Sequence, residues 1–254
     1  MHRPPKARIR QSFERAASTY DSAAEIQRHI CTQLAAALPT SQPVGRLLDA
    51  GCGTGFALGL LLARFPNAQA IALDLAPGML QRIVTPCCQI AGDLEHLPLA
   101  SNSLDLYWSS LAVQWCELPQ ALAEAHRALK SQGQMAVATL GPQTFHELRQ
   151  AFASIDDYQH TLGFHSADEI RHLAAQTGFV TVNVKNSPKI AYYPDFKTLL
   201  KAVKAIGANQ LGAGRRTSLM SRSRFKQAEA AFELLRVDAG LPLTYDVITL
   251  NAIK

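Results

Sequence analysis

In "LLDAGCGTGFALG", Asp49, Gly51, Gly53 and Gly55 fall where an apolar strand-like run gives way to a helix-like one. Glycines let the backbone turn tightly and approach a ligand closely, and the first N–H groups of a helix favour an anion. A dinucleotide fingerprint G-x-G-x-x-G would need glycine at position 56, where this chain has Phe56, so a pyrophosphate is not the expected guest. Asp74 closes the next strand-like run, where a carboxylate can accept both hydroxyls of a ribose. Asp93 follows the third run in "GDLEHLPL", offering a carboxylate to an exocyclic amine and Leu94 to a ring face. Past the fourth run comes "SSLAVQWCELPQAL", Ser109–Leu122, which contains no obvious general base. Gln114 and Trp115 lie there, close to where a reacting group would sit. Cys116 has no paired histidine in sequence and His126 lies on the helix "ALAEAHRAL", so both read as structural.

The elements that must hold these residues alternate. "GRLLDAG", "AQAIALD", "CCQIAGD" and "SLDLYWSS" read as strands, and "FALGLLLARF", "PGMLQRI" and "LPQALAEAHRALK" as the helices between them. The last helix leads through Gly133 to strand "QMAVATL". This alternation predicts a mostly parallel sheet with helices on both faces. Helices follow near 143–155 and 166–177, the second ended by Gly178, then strand "FVTVNVKN" and a closing strand "LTYDVITLNAI". Between those two strands lie helical "FKTLLKAVKAI" and "SRFKQAEAAFELLRV", joined by "GANQLGAGRRTS", an insertion long enough to need its own job. The segment from Arg8 to Leu38 reads as two helices. Ser22 and Glu25 predict a capping box that starts the second, and Ile26, Ile30, Leu34 and Leu38 make one apolar stripe on it. The boundaries are residues 1–44 as an N-terminal helical lid segment and 45–254 as the main domain, with a helical insertion at about 192–240.

At 254 residues and 48% hydrophobic content, the chain can bury a substantial core. No apolar run approaches the roughly 18 residues of a membrane span, and the basic start "MHRPPKARIR" has no apolar stretch after it. Five cysteines without metal-ligand spacing fit reduced thiols in a cytoplasmic protein, and no metal is expected. Residues 1–184 carry 13 Lys and Arg against 15 Asp and Glu, whereas residues 185–254 carry 12 against 5. That basic quarter suggests an acidic partner: nucleic acid, an anionic surface or an acidic carrier protein. A merely solvated basic face is the equal alternative.

The three acid signals at successive strand ends resemble the class I S-adenosylmethionine-dependent methyltransferases. The resemblance implies a Rossmann-like α/β fold with a mostly parallel seven-stranded sheet, helices on both faces and a helical lid. In that family the acid-glycine loop holds the methionyl end of the cofactor. The acid after the second strand takes the ribose and the acid after the third takes the adenine amine. The cofactor residues carried over are Asp49, Gly51, Gly53, Gly55, Asp74, Leu75, Met79, Asp93 and Leu94. Outside that core, "FERAASTYD", "LAVQWC", "LKAVKAIGANQLGAGR" and "PLTYDV" together resemble one narrower family, the malonyl-acyl-carrier-protein methyltransferases of biotin synthesis. These methylate the free carboxylate of a malonyl thioester, which implies an acidic acyl carrier protein as partner and neither nucleic acid nor membrane.

The residues agree with that chemistry. A carboxylic acid with a pKa near 4 is about 99.9% ionised at pH 7, so it is already the nucleophile and no base is required. The site must instead offset the several kcal/mol lost when a carboxylate leaves water. Arg215, followed by Arg216 in "GAGRRTS", is the candidate for that contact, although a solvent-facing or carrier-docking pair is an equal reading. In the family the N-terminal tyrosine corresponding to Tyr20 sits over the active site. Tyr193 in "AYYPDF" is the candidate for the acceptor channel, with Gln114 and Trp115 lining it. Lys197, Lys201 and Lys204 share one face of a helix and could meet the carrier or solvent. The rivals are another small-molecule or RNA methyltransferase and a non-transferring assembly factor on the same fold. The intact glycine loop and Tyr20 speak against a dead scaffold, and "SSLAVQW" lacks the N/D-P-P-Y-like motif of many amino-group methylases.

Overall fold

The computed structural model describes residues 3–39, 42–153, 155, 161–205 and 221–254. Three helices precede the first strand: α1 (Lys6–Ala16), the single turn α2 (Tyr20–Ala23) and α3 (Glu25–Ala36). The sequence predicts one break and a capped start at Ser22, whereas the chain breaks twice. The Ser22 hydroxyl donates to the Thr19 carbonyl at 2.7 Å, so it is used inside a turn. Ala24 takes the position before α3 with no side-chain cap. The apolar stripe is buried as expected at Ile30, Leu34 and Leu38, with Ile26 partly buried.

Strands and helices then alternate as β1 (Arg46–Ala50), α4 (Phe56–Arg64), β2 (Gln69–Asp74), α5 (Pro77–Leu80), β3 (Cys88–Ala91), β4 (Leu104–Ser110), α6 (Leu118–Ala128) and β5 (Leu129–Leu140). Next come α7 (His146–Phe152), α8 (Ala167–Thr177) and β6 (Thr181–Asn186). Ser166 and Glu169 cap α8 reciprocally, and Gly178 ends it at φ +108°. Beyond β6 the chain forms β7 (Lys189–Tyr193), α9 (Phe196–Ala205), α10 (Arg222–Glu233), β8 (Leu241–Tyr245) and β9 (Val247–Ile253).

Seven strands form one sheet in the order β3-β2-β1-β4-β5-β9-β6, parallel except for β9, which runs antiparallel to β5 and β6. Alternate residues of each strand serve opposite faces. Leu47, Leu106 and Trp108 join Leu34, Leu58 and Leu61 on the side of α3 and α4. Leu48, Leu73 and Tyr107 meet Leu122, Ala125, Ile170 and Ala174 on the side of α6 and α8. The strand order reverses between β1 and β4, and in such sheets ligands bind beyond the carboxyl ends of the strands at that crevice.

The expected closing strand is two strands. β8 pairs with β7 in a separate two-stranded sheet, and only β9 joins the main one. The chain turns at Asp246, which is 2% exposed; its carboxylate accepts the Gln143 N–H at 2.9 Å and its carbonyl accepts the Gly141 N–H at 2.7 Å. The helices between β7 and β8 close over Phe196, whose ring lies 5.2 Å from Phe232 and 6.4 Å from Phe152 of α7.

Candidate active site

At the end of β1 the backbone passes through left-handed conformations at Gly51 (φ +75°), Gly53 (+54°) and Gly55 (+84°). Gly51 is the tightest of these: a Cβ there would lie 2.2 Å from the Cβ of Ala112. The Gly51 and Cys52 N–H groups both donate to the Leu73 carbonyl, fixing the loop to the end of β2. Asp74, at that end, accepts the Gly53 N–H at 2.9 Å through one oxygen and the Ala76 N–H at 2.8 Å through the other. Each carboxylate oxygen keeps a second acceptor site for a ribose hydroxyl. Burial pushes the Asp74 carboxyl upward, and the two N–H bonds oppose the shift.

Asp49 is 2% exposed, and its Oδ2 has no hydrogen-bond partner. Burial first, and Asp74 second, push its carboxyl up to about 8. A buried, unpaired carboxylate oxygen calls for a donor. The ammonium of an amino-acid moiety supplies one, so the residues present fit the methionyl end of S-adenosylmethionine. Asp93 Oδ1 accepts both the Lys6 ammonium at 2.9 Å and the Glu95 N–H at 3.1 Å. The Lys6 ammonium also meets Glu95 at 2.5 Å and Cys116 Sγ at 3.6 Å. Asp93, Glu95 and Cys116 form the one group with metal-ligand spacing among the described residues, and Lys6 already supplies its positive charge.

A cleft of about 590 Å³ runs from this loop beneath α1. Gly51, Gly53, Asp74, Leu75, Met79, Asp93 and Leu94 line it, so seven of the nine expected cofactor residues meet there. Asp49 lines a second opening of about 470 Å³ against the same glycines, and Gly55 lies behind them, closely packed on Ile83. A third cavity, of about 560 Å³, continues from the cleft. Phe13, Tyr20, Leu111 and Trp115 wall both, so two ligands placed in them would meet across these side chains.

The expected acceptor residues divide. Gln114 lines the third cavity, its amide donating to the Leu111 carbonyl at 2.6 Å. Trp115 stands edge-on to Phe13 with ring centres 5.7 Å apart. Tyr20 borders all three spaces, and burial, then Asp74, raise its hydroxyl's pKa. Tyr193 is not a wall of the cavity but hydrogen-bonds to Tyr245, which is, and Gln27 hydrogen-bonds to Tyr245 in turn. Arg215 lies outside the described residues, as does most of the stretch that carries "KAIGAN". His126 stands edge-on to Phe179 at 5.1 Å and does not line these cavities, and burial pushes the Cys116 thiol up to about 12. Sequence reasoning missed Lys6, Phe13, Gln27 and Tyr245. Phe13 and Tyr245 carried a signal, inside the quoted "FERAASTYD" and "PLTYDV".

Residues 48–137 match the family described as a methyltransferase domain. Over 252 residues the chain is 68% identical to the malonyl-[acyl-carrier protein] O-methyltransferase of Dechloromonas aromatica, spanning 99% of this chain and 96% of that protein. The chain belongs to that family. It is also 38% identical to the biotin biosynthesis bifunctional protein BioHC of Teredinibacter turnerae, over 95% of this chain and 46% of that longer one. Among solved structures, an S-adenosylmethionine-dependent methyltransferase of Thermotoga maritima superposes with a TM-score of 0.58 at 17% identity, covering 97% of this chain and 99% of that one, which shows the shared fold.

A methyl displacement needs room for a donor and an acceptor side by side, and the two joined cavities share a common wall. The cavity that Gln114 lines is apolar apart from a few hydroxyl and amide groups. Its only titratable side chains among the described lining residues are Tyr20 and Tyr245. Burial raises both, Tyr245 well above its ordinary value, so neither serves as a base near neutral pH.

Proposed function

We propose that Asp49, Gly51, Gly53, Asp74 and Asp93 hold the S-adenosylmethionine with which this enzyme methylates the free carboxylate of malonyl-acyl-carrier protein, giving the methyl ester that enters biotin synthesis. The observation that carries this reading is the acceptor cavity, which has no base among its described lining residues. Bound S-adenosylmethionine supplies an activated methyl on a sulfonium; the carboxylate oxygen forms the new O–C bond as the C–S pair returns to sulfur, and no proton moves.

The protein's part is positioning, which is worth roughly 7–11 kcal/mol when two reactants are held in attack geometry. Asp49 takes the ammonium, Asp74 the ribose hydroxyls, and Asp93 with Leu94 the adenine. Phe13, Tyr20, Leu111 and Trp115 exclude water from the junction. Tyr20 and Tyr245 keep their protons and so donate to the acceptor carboxylate, with Gln114 beside them; Tyr193 and Gln27 orient Tyr245. Arg215 completes this set as the charged contact from the insertion. Residues 1–44 cover the cofactor as a lid, and the insertion at about 192–240 covers the acceptor.

The partner is an acidic acyl carrier protein, approached without nucleic acid or membrane. Phe196, Leu199 and Val203 bury one face of α9, and Lys197, Lys201 and Lys204 are exposed on the other. That face steers an acidic protein to the insertion. No helix among the described residues is long and apolar enough to cross a membrane. The five cysteines are unpaired, which supports a cytoplasmic setting.

The test is incubation with labelled S-adenosylmethionine and either malonyl- or acetyl-acyl-carrier protein. Label should enter the malonyl form alone, as a base-labile methyl ester. Equal label on both, or none on malonyl, overturns the assignment.

A further inference from the structure

Thr161 lines the acceptor cavity and is 6% exposed, beside Leu162 and Phe164 of the same wall. Its Oγ1 accepts a hydrogen bond at 3.2 Å from the guanidinium of Arg149 on α7. Arg149 is fixed twice more, donating to the Thr144 carbonyl at 2.6 Å and to the Pro142 carbonyl at 2.8 Å. Those carbonyls belong to the turn that runs into Phe145, another residue of the wall, whose backbone is left-handed at φ +56°. A bulky side chain keeps that conformation only where its surroundings impose it. Here the Phe145 N–H donates to the Thr244 carbonyl at 2.8 Å, and its ring stands edge-on to Tyr245 at 4.9 Å. Arg149 therefore ties Thr161 to a rigid part of the wall.

A guanidinium has donors only, so the Thr161 oxygen must accept, and the single proton of its hydroxyl is left to point elsewhere. Among the described residues none accepts that proton. Glu147 and Asp246 face the same guanidinium and offset its charge at a distance. Both acids are occupied in turn, Glu147 by the Thr244 N–H at 3.1 Å and Asp246 by the Gln143 N–H at 2.9 Å. What Arg149 passes to the cavity is thus the direction of one proton rather than a bare positive field.

We propose that the Thr161 hydroxyl, held as a donor by Arg149, hydrogen-bonds the carboxylate of the acceptor, with Arg149 as its positioning residue. This rests on the reading of the cavity as the acceptor site, and adds to that reading a contact that tells a carboxylate from an uncharged group of the same shape. A hydroxyl free to rotate could meet either one. A hydroxyl whose oxygen is already engaged offers only a proton, and a charged oxygen takes it best.

The test titrates the protein, saturated with S-adenosylhomocysteine, with malonyl-pantetheine and with acetoacetyl-pantetheine near neutral pH. The second ligand replaces the carboxylate by a methyl ketone of nearly the same shape. A hydrogen bond to a charged group converts to about a ten- to hundredfold change in affinity. The unaltered protein should prefer the malonyl ligand, and Thr161→Val should cut that preference by this factor through weaker malonyl binding. The Val variant leaves Arg149 on both of its carbonyls, so the turn stays anchored. Thr161→Ser should restore most of the preference. Arg149→Met should lower it by a smaller factor, and Arg149→Lys should recover part of that loss. Equal weakening of both ligands by Thr161→Val would overturn the proposal and make Thr161 a packing residue; so would no weakening of either. If the Val variant loses thermal stability, the Ser variant decides alone, since malonyl binding as weak as that of Val rules out the hydroxyl. Methyl transfer to malonyl-acyl-carrier protein without any preference for the carboxylate would sink the Thr161 contact and leave the proposed function standing, whereas absence of transfer removes both.

Discussion

Cofactor affinity should fall as pH drops below 8, and the fall should belong to Asp49. In the empty site the Asp49 carboxyl is pushed up to about 8, by burial first and by Asp74 second. Binding an ammonium requires the charged carboxylate, so at lower pH the ligand must first drive a proton off. One pH unit below the pKa costs about 1.4 kcal/mol, a tenfold loss of affinity at pH 7 and about a hundredfold at pH 6. The same arithmetic gives a proton release of about 0.9 per ligand bound at pH 7. Titrating S-adenosylhomocysteine calorimetrically in two buffers of different ionisation enthalpy measures that number directly.

The sign also fixes a second readout. The folded pKa of Asp49 lies above its unfolded value of about 3.9, so the empty native state holds the extra proton between roughly pH 4 and 8. Stability of the empty protein should therefore fall as pH rises through that window, and bound ligand should flatten the fall. Asp74, itself pushed upward by burial, titrates with Asp49 as a coupled pair, which is why a variant is needed. Asp49→Asn should bind weakly at pH 8 and lose the pH slope. Affinity that stays flat from pH 6 to 8 without proton release would refute the reasoning, and a slope that survives Asp49→Asn would move the proton to another group.

Asp74→Ala should weaken S-adenosylhomocysteine by about a hundredfold or more, since two hydroxyl contacts to a charged acceptor are lost along with the Gly53 anchor; unchanged affinity would refute the ribose role. Gly51→Ala should abolish ligand binding and lower the melting temperature, because the new Cβ meets Ala112 at 2.2 Å and φ is +75°. Gly59→Ala, with nothing within 4 Å and a helical backbone, should instead stabilise by about 0.5–1 kcal/mol in a denaturant titration. Replacing Lys197, Lys201 and Lys204 together by Glu should raise KM for malonyl-acyl-carrier protein about tenfold at low salt, less at high salt, and leave methylation of malonyl-pantetheine unchanged.

What was legible in the sequence divides along the physical origin of each contact. The convergence of the glycine loop, Asp74 and Asp93 on one cleft was legible because that cleft is built at successive strand ends, where backbone and one acid lie close together. The stripe of Ile30 and Leu34 on α3, continued by Leu38 just past its end, was legible because burial imposes a period on a helix. Misreadings came where a local pattern had two uses. Ser22 and Glu25 have capping spacing, yet the Ser22 hydroxyl closes a turn onto Thr19. "LTYDVITLNAI" has strand character throughout, yet Asp246 breaks it by binding the loop at Gln143. Lys6 and Gln27 were illegible in kind: Lys6 reaches Asp93 across 87 positions, and nothing near either residue marks it.

The chemistry of the acceptor cavity follows from which protons its side chains keep. Burial raises Tyr20 and Tyr245, so at neutral pH both hydroxyls are protonated and act as donors. An amine or phenol entering this cavity would have to lose a proton to become a nucleophile, and among the described walls it finds nothing to accept one. A carboxylate arrives without that proton. It needs instead to recover part of its lost hydration, and neutral hydroxyl and amide donors return some of it. A cavity with donors and no base among its described walls therefore selects for an acceptor that is already an anion, and it does so without a residue whose type alone announces catalysis.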